Sequence, residues 1–143
     1  MTCIVAVAEH GRVWMRGDSA VSMGDDAITL QAESKVFKIG RVVVGCCGDN
    51  LWEASFRRLR VPRAPGPDLA AWVAADLTDA IRAFIKDNEI EASDESAALI
   101  AIGGFLYYVE ADGFPWRVRG RYAAIGSGSG LASERTRLPS IQA

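Results

Sequence analysis

The stretch PDLAAWVAADLTDAIRAFIKDN, Pro67 to Asn88, places Leu69, Trp72, Val73, Leu77, Ala80, Ile81, Phe84 and Ile85 on one side of a helix. Asp76, Asp79 and Arg82 turn the other way. An apolar stripe this wide has to lie on another surface, and the chain offers one. A shorter helical period, Trp52, Phe56 and Leu59, precedes it and closes with Pro62 and Pro65, and strand-like runs flank both helices. Strands, two helices and strands again predict an α+β chain whose helices cover one face of antiparallel sheet.

The first 48 residues read as antiparallel strands. Cys3 to Ala8 is β-type, EHGR is a turn and VWMRG resumes the strand. A turn follows at Gly24-Asp25-Asp26, and KVFKIG and RVVVGCCG form a further pair joined at Gly40. After the helices, EIEASDES reads as a solvated acidic loop. AALIAIGGFLYYVEADG is a hairpin turning at Gly103-Gly104, and WRVRGRYAAIG is one more strand ending at Gly126. No internal repeat or low-complexity segment interrupts this order, and 143 residues are the size of one domain spanning 1–143.

A net charge of −2 gives no electrostatic reason to expect nucleic acid, and the basic run RRLRVPR stands where cations favour a helix C-terminus anyway. Three cysteines, Cys3, Cys46 and Cys47, cannot all pair, and the adjacent two are poorly placed to pair with each other. That pattern predicts reduced thiols and a cytoplasmic protein. The longest apolar run, Ala97 to Val109, is broken by two glycines and is too short to cross a bilayer as a helix. The N-terminus has neither the basic segment nor the apolar stretch of a signal peptide, so no membrane association is expected.

Elimination narrows the chemistry. The single histidine, His10, falls in a turn beside Gly11 and makes a poor triad base. Cys46 and Cys47 are adjacent and lack the spacing of a zinc pair, and the acidic stretch after Lys86 lacks the glycine of a calcium loop. No metal or other cofactor is implied. GSGSG from Gly126 lacks the lysine of a phosphate-binding loop; using it for phosphate would require Arg119 or Arg121 beside it. A base that needs no side chain remains, the α-amine, whose pKa near ~7.7–8.0 suits proton transfer at neutral pH. Thr2 follows the initiator methionine, which is generally trimmed before a small residue, so hydroxyl nucleophile and amine base would stand on one residue.

TCIVAV at the start, GDSAV at Gly17 to Val21, KVF at Lys35, GCCG at Gly45 and AAIGSGSG at Ala123 to Gly130 occur in one order and spacing. Together they resemble the proteasome β-type family of N-terminal nucleophile hydrolases, in the style of the bacterial HslV peptidase. The resemblance covers nearly the whole chain. It implies an αββα sandwich of two antiparallel sheets flanked by helices. It matches Thr2 to the nucleophile, Asp18 to the acid that pairs with lysine, Lys35 to the cation beside the threonine hydroxyl, Gly45 to the oxyanion-hole amide and Ser127 to the serine near the N-terminal amine. Val21, Val43 and Cys47 are then expected to line the substrate pocket.

By the same resemblance the chain is a threonine-type peptidase that acts on peptides or unfolded proteins. It would assemble as a homo-oligomeric ring, with an unfolding ATPase as a candidate partner. Family members continue well past the GSGSG turn, whereas only LASERTRLPSIQA remains here, without an apolar helical stripe. The C-terminal part of the family fold is therefore expected to be shortened. The alternative expectation is a catalytically inactive relative serving as a structural or interaction subunit.

Overall fold

The structure is a computed structural model and describes residues 2–22, 28–30, 33–63 and 66–130; the side chains of 20–22, 28–30 and 50 are not among the described parts. The expected turn at Gly24-Asp25-Asp26, Pro65 and the last thirteen residues lie outside the described residues.

Strands β1 (Ile4–Glu9) and β2 (Arg12–Gly17) form the first hairpin. Its two-residue turn has both φ values positive, 51° at His10 and 72° at Gly11, the geometry whose twist matches paired strands. Strands β3 (Ala20–Ser22) and β4 (Ile28–Leu30) pair with each other. Strands β5 (Val36–Ile39) and β6 (Val42–Cys47) turn at Gly40. Helix α1 (Asn50–Arg58) follows, then α2 (Leu69–Trp72), a π-helical stretch (Val73–Leu77) and α3 (Thr78–Asp87). The chain continues through β7 (Ala97–Ile102), β8 (Phe105–Glu110), β9 (Pro115–Arg117) and β10 (Tyr122–Ile125).

Two antiparallel sheets stack, one of order β10-β1-β2 and one of order β5-β6-β7-β8-β9. Alternation along the strands divides the interior in two. Val42, Val44, Cys46, Ala98, Ile100, Tyr107 and Val109 face the helices, where Trp52, Phe56, Trp72, Val73, Leu77 and Ile81 cover them. The other side of the five-stranded sheet contributes Cys47, Ala97, Leu99 and Leu106, which pack against Ile4, Ala6 and Ile125 of the three-stranded sheet.

The long helix differs from the ideal read in the sequence. Leu69, Val73, Leu77, Ile81 and Ile85 recur every four residues, and each such step overshoots an α-helical turn by about 40°. The five-residue π stretch takes up that drift because each of its turns holds more residues. Thr78, a buried residue outside the expected stripe, donates its hydroxyl to the Val73 carbonyl at 2.7 Å across this stretch.

Two further expectations are corrected. WRVRGRYAAIG is two strands in different sheets: β9 closes the edge of the five-stranded sheet, the chain breaks at Gly120 (φ 114°), and β10 joins β1. The acidic segment after Asn88 is not solvated throughout, since Ser96 is buried and Ile90 and Ala92 pack on the helix-side core.

Leu77→Ala empties a fully enclosed place between helix and sheet and is expected to cost about 2–5 kcal/mol in urea unfolding. Asp79→Ala on the exposed face should stay within about 0.5 kcal/mol of the parent.

Candidate active site

The first residues of the chain are tied down by groups from three segments. Cys3 exchanges two hydrogen bonds with Asp18: its N–H donates to Asp18 Oδ2 at 2.9 Å, and its carbonyl accepts from Asp18 N at 3.0 Å. Asp18 follows β2 directly, so register with β1 delivers it beside the N-terminus. On the other flank the Thr2 carbonyl accepts from Gly128 N at 3.1 Å, and Thr2 N donates to Ser127 Oγ at 3.1 Å. These partners come from the turn after β10. Gly126 makes the approach possible: a Cβ there would stand 2.2 Å from the Thr2 oxygen, and its φ of 93° suits glycine alone.

Lys35 completes the group. It precedes β5 and is 4% exposed, with Nζ 2.8 Å from Asp18 Oδ1 and 2.9 Å from Thr2 Oγ1. A buried ammonium needs such partners, because an unpaired one would neutralise or unfold its surroundings. Asp18 is 34% exposed and divides its two oxygens between Lys35 and the Cys3 amide. The structure thus links Asp18, Lys35, Thr2 and Ser127 in one chain of hydrogen bonds.

Gly45 stands elsewhere than the resemblance implies. It occupies the middle of a ladder, opposite Val36 on one side and Leu99 on the other. Cys46 N donates to Lys35 O at 3.2 Å, so the neighbouring Gly45 N–H points the opposite way, toward β7. Its open side is filled as well: a Cβ would lie 2.8 Å from both Ile4 Cγ2 and Met15 Sδ. Two residues after Cys46, the same alternation turns the Gly48 N–H toward the Lys35 side, beyond the point where β5 begins. Gly48 is exposed and has a φ of 106°. GCCG contains two glycines, and only the partner strands distinguish which way each amide faces.

The expected pocket residues are placed differently again. Cys47 is 5% exposed and belongs to the core between the sheets. Val43 lies four residues back along β6, about 13 Å from that strand end. Val21 is in β3, and its side chain is outside the described parts.

All three thiols are raised above their ordinary pKa. Burial leads for each; Asp18 adds to it at Cys3 and Glu53 at Cys46, while the Ala97 hydrogen bond and the Lys35 charge partly oppose it at Cys47. Protonated at neutral pH, they are poor nucleophiles. Asp49 titrates low, first because Ser93 donates its backbone N–H and then through the Ser93 and Ser96 hydroxyls. A depressed carboxyl contributes stability above its unfolded value, and that contribution is lost as pH falls through the folded one.

The GSGSG turn gives its Gly128 N–H to Thr2, and Arg121 pairs with Glu9 at the far end of β1, away from that turn. Within RRLRVPR, Arg57 bonds Glu53 at 2.9 Å and lies over the Phe37 ring. Among the described residues no cluster of three or more His, Cys, Asp or Glu side chains could hold a metal ion, and no helix is long and apolar enough to cross a membrane.

No family model and no curated protein sequence matches the chain. Solved structures do. BPH of Thiobacillus denitrificans, in complex with epoxomicin, is 20% identical, with 99% of this chain covering 82% of that one at a TM-score of 0.70. HslV of Trypanosoma brucei is 19% identical, with 94% of this chain covering 77% of that one at 0.65. Anbu of Pseudomonas aeruginosa, solved as a helical assembly, is 16% identical, with 96% of this chain covering 65% of that one at 0.62. The chain therefore has the fold of the proteasome-like N-terminal nucleophile hydrolases, of which HslV is one.

Proposed function

We propose that the protein is an N-terminal threonine amide hydrolase of the proteasome/HslV kind that cleaves peptide bonds. The observation that carries this reading is the buried Lys35 ammonium, 2.9 Å from Thr2 Oγ1 and anchored on Asp18. While Met1 is attached, the Thr2 nitrogen is an amide and no base. Removal of Met1 frees an amine on the same residue as the hydroxyl, held 3.1 Å from Ser127 Oγ.

The free amine takes the Oγ proton as Oγ attacks the scissile carbonyl carbon. Lys35 lowers the energy of the anionic oxygen by its charge, and Asp18 keeps that charge in place. The carbonyl oxygen becomes an oxyanion, toward which the Gly48 N–H is the better oriented of the two glycine amides; a donor of this kind is worth about 3 kcal/mol. Collapse breaks the carbon–nitrogen bond, and the departing amine takes the proton from the Thr2 ammonium. Water, deprotonated by the same amine, then hydrolyses the Thr2 ester and restores the site.

Ser127 orients the amine, and the backbone ties of Thr2 and Cys3 hold hydroxyl and base in one geometry. The proposal includes assembly with further copies, in keeping with the helical assembly of the Anbu neighbour, and polypeptide as the substrate class.

Intact mass should show the purified protein without Met1; complete retention of methionine removes the base and overturns the mechanism. On a fluorogenic peptide, Thr2→Ala and Lys35→Met are each expected to lower kcat on the order of 10³-fold, while His10→Ala in the distant hairpin turn leaves it unchanged. Full activity in Thr2→Ala with Met1 removed would reduce the likeness to one of fold alone. Epoxomicin, bound by the BPH neighbour, should raise the melting temperature of the parent and not of Thr2→Ala.

A further inference from the structure

Asp49 stands immediately before α1, where an aspartate ordinarily caps the first turn through its carboxylate. It makes no such bond here. Its Oδ2 instead accepts from Ser93 N at 3.0 Å and from Ser96 Oγ at 3.4 Å, and its own N–H donates to Ser96 Oγ at 3.3 Å. A favourable helix cap is given up to hold the end of the loop before β7.

That loop end stands directly behind Gly48. A Cβ on Gly48 would lie 2.5 Å from Ser96 Cα and 2.6 Å from Ser96 Oγ, so the serine, 1% exposed, fills the space a side chain would take. The peptide joining Cys47 to Gly48 is consequently fixed from both sides. Cys47 is held by its ladder pairing with Ala97, the residue after Ser96, and the following peptide is held by the bond from Asp49 N to Ser96 Oγ. Between the two ties the Gly48 N–H has little freedom to rotate.

We propose that Ser96, oriented by Asp49, is a positioning residue for the reaction: it sets the plane of the Cys47–Gly48 peptide so that the Gly48 N–H faces the oxyanion. The inference rests on the threonine hydrolase reading above. It assigns a role to a buried serine and an acidic helix-start residue that touch neither Thr2 nor Lys35 through any of their described bonds. A pre-set amide is what transition-state stabilisation needs, because a donor that must first rotate gives back part of its contribution.

The test compares Ser96→Ala and Asp49→Asn with the parent by peptide hydrolysis and by amide hydrogen exchange resolved at Asp49. Ser96→Ala should lower kcat about tenfold or more with KM within about twofold, since ground-state binding does not use the oxyanion donor. Exchange at the Asp49 amide, which loses its acceptor, should quicken by about tenfold in the same variant. Asp49→Asn keeps an acceptor for Ser93 N and a partner for Ser96, and should retain kcat within about threefold.

A Ser96→Ala enzyme with the parent kcat overturns the proposal, and so does unchanged exchange at Asp49. If the parent cleaves no peptide while exchange still quickens in Ser96→Ala, the hydrolase reading has failed and the hold on Gly48 stands without a catalytic purpose. Should Ser96→Ala not fold, Ser96→Cys keeps the volume, weakens the hydrogen bonds and is judged by the same two readouts.

Discussion

The ammonium of Lys35, enclosed between the Asp18 carboxylate and the Thr2 hydroxyl, is the interaction on which the rest of the site depends. A charge that is 4% exposed tolerates no vacancy among its partners, so it draws together the residue before β5, the residue after β2 and the start of the chain. Asp18 answers twice, with one oxygen for the lysine and one for the Cys3 amide. The N-terminus is thereby ordered by an electrostatic requirement seated in another strand.

Why the group lies at the ends of strands follows from the sandwich. Ile4 and Ala6 of β1 are buried between the sheets with Ile125 and Leu99, and that burial fixes the height of β1 in the stack. Once β1 is seated, Thr2 has to emerge at the rim, where the turns after β2, β6 and β10 also emerge. Small residues at this rim keep the backbones close. A Cβ on Gly17 would approach Ile4 and Val36 at 3.2 and 3.3 Å, and a Cβ on Gly126 would collide with Thr2 itself. These glycines are therefore also spacers around Thr2.

Much of this was legible in the residues, and the rest was hidden for identifiable reasons. The apolar stripe from Leu69 to Ile85 announced the long helix, but a spacing of four is compatible with either a slowly rotating α-helix or one relieved by a π turn, and only packing on the sheet decides. Strand formers ran unbroken enough from Trp116 to Ile125 to read as one element; Gly120, with a φ of 114°, takes the chain from one sheet to the other. Thr2, Asp18, Lys35 and Ser127 meet because each sits beside a strand end, although the sequence read Lys35 as part of the strand KVFKIG. Gly45 and Gly48 differ only in which neighbouring strand each amide faces, a property that belongs to pairing and not to composition.

The bond from Thr2 N to Ser127 Oγ spans 125 positions of sequence, which gives the site a history as well as a shape. At roughly 5–20 residues per second, synthesis takes about 6–25 s to separate the two ends of that contact. Throughout the interval the first residues have no β10 to pair with and no turn to hold the threonine nitrogen. Until then the Thr2 nitrogen lacks the Ser127 hydroxyl that holds it in the finished fold. A chain interrupted before residue 127 carries Thr2 and Lys35 but lacks Ser127, so the full set of contacts around Thr2 arises only in copies that reach that turn.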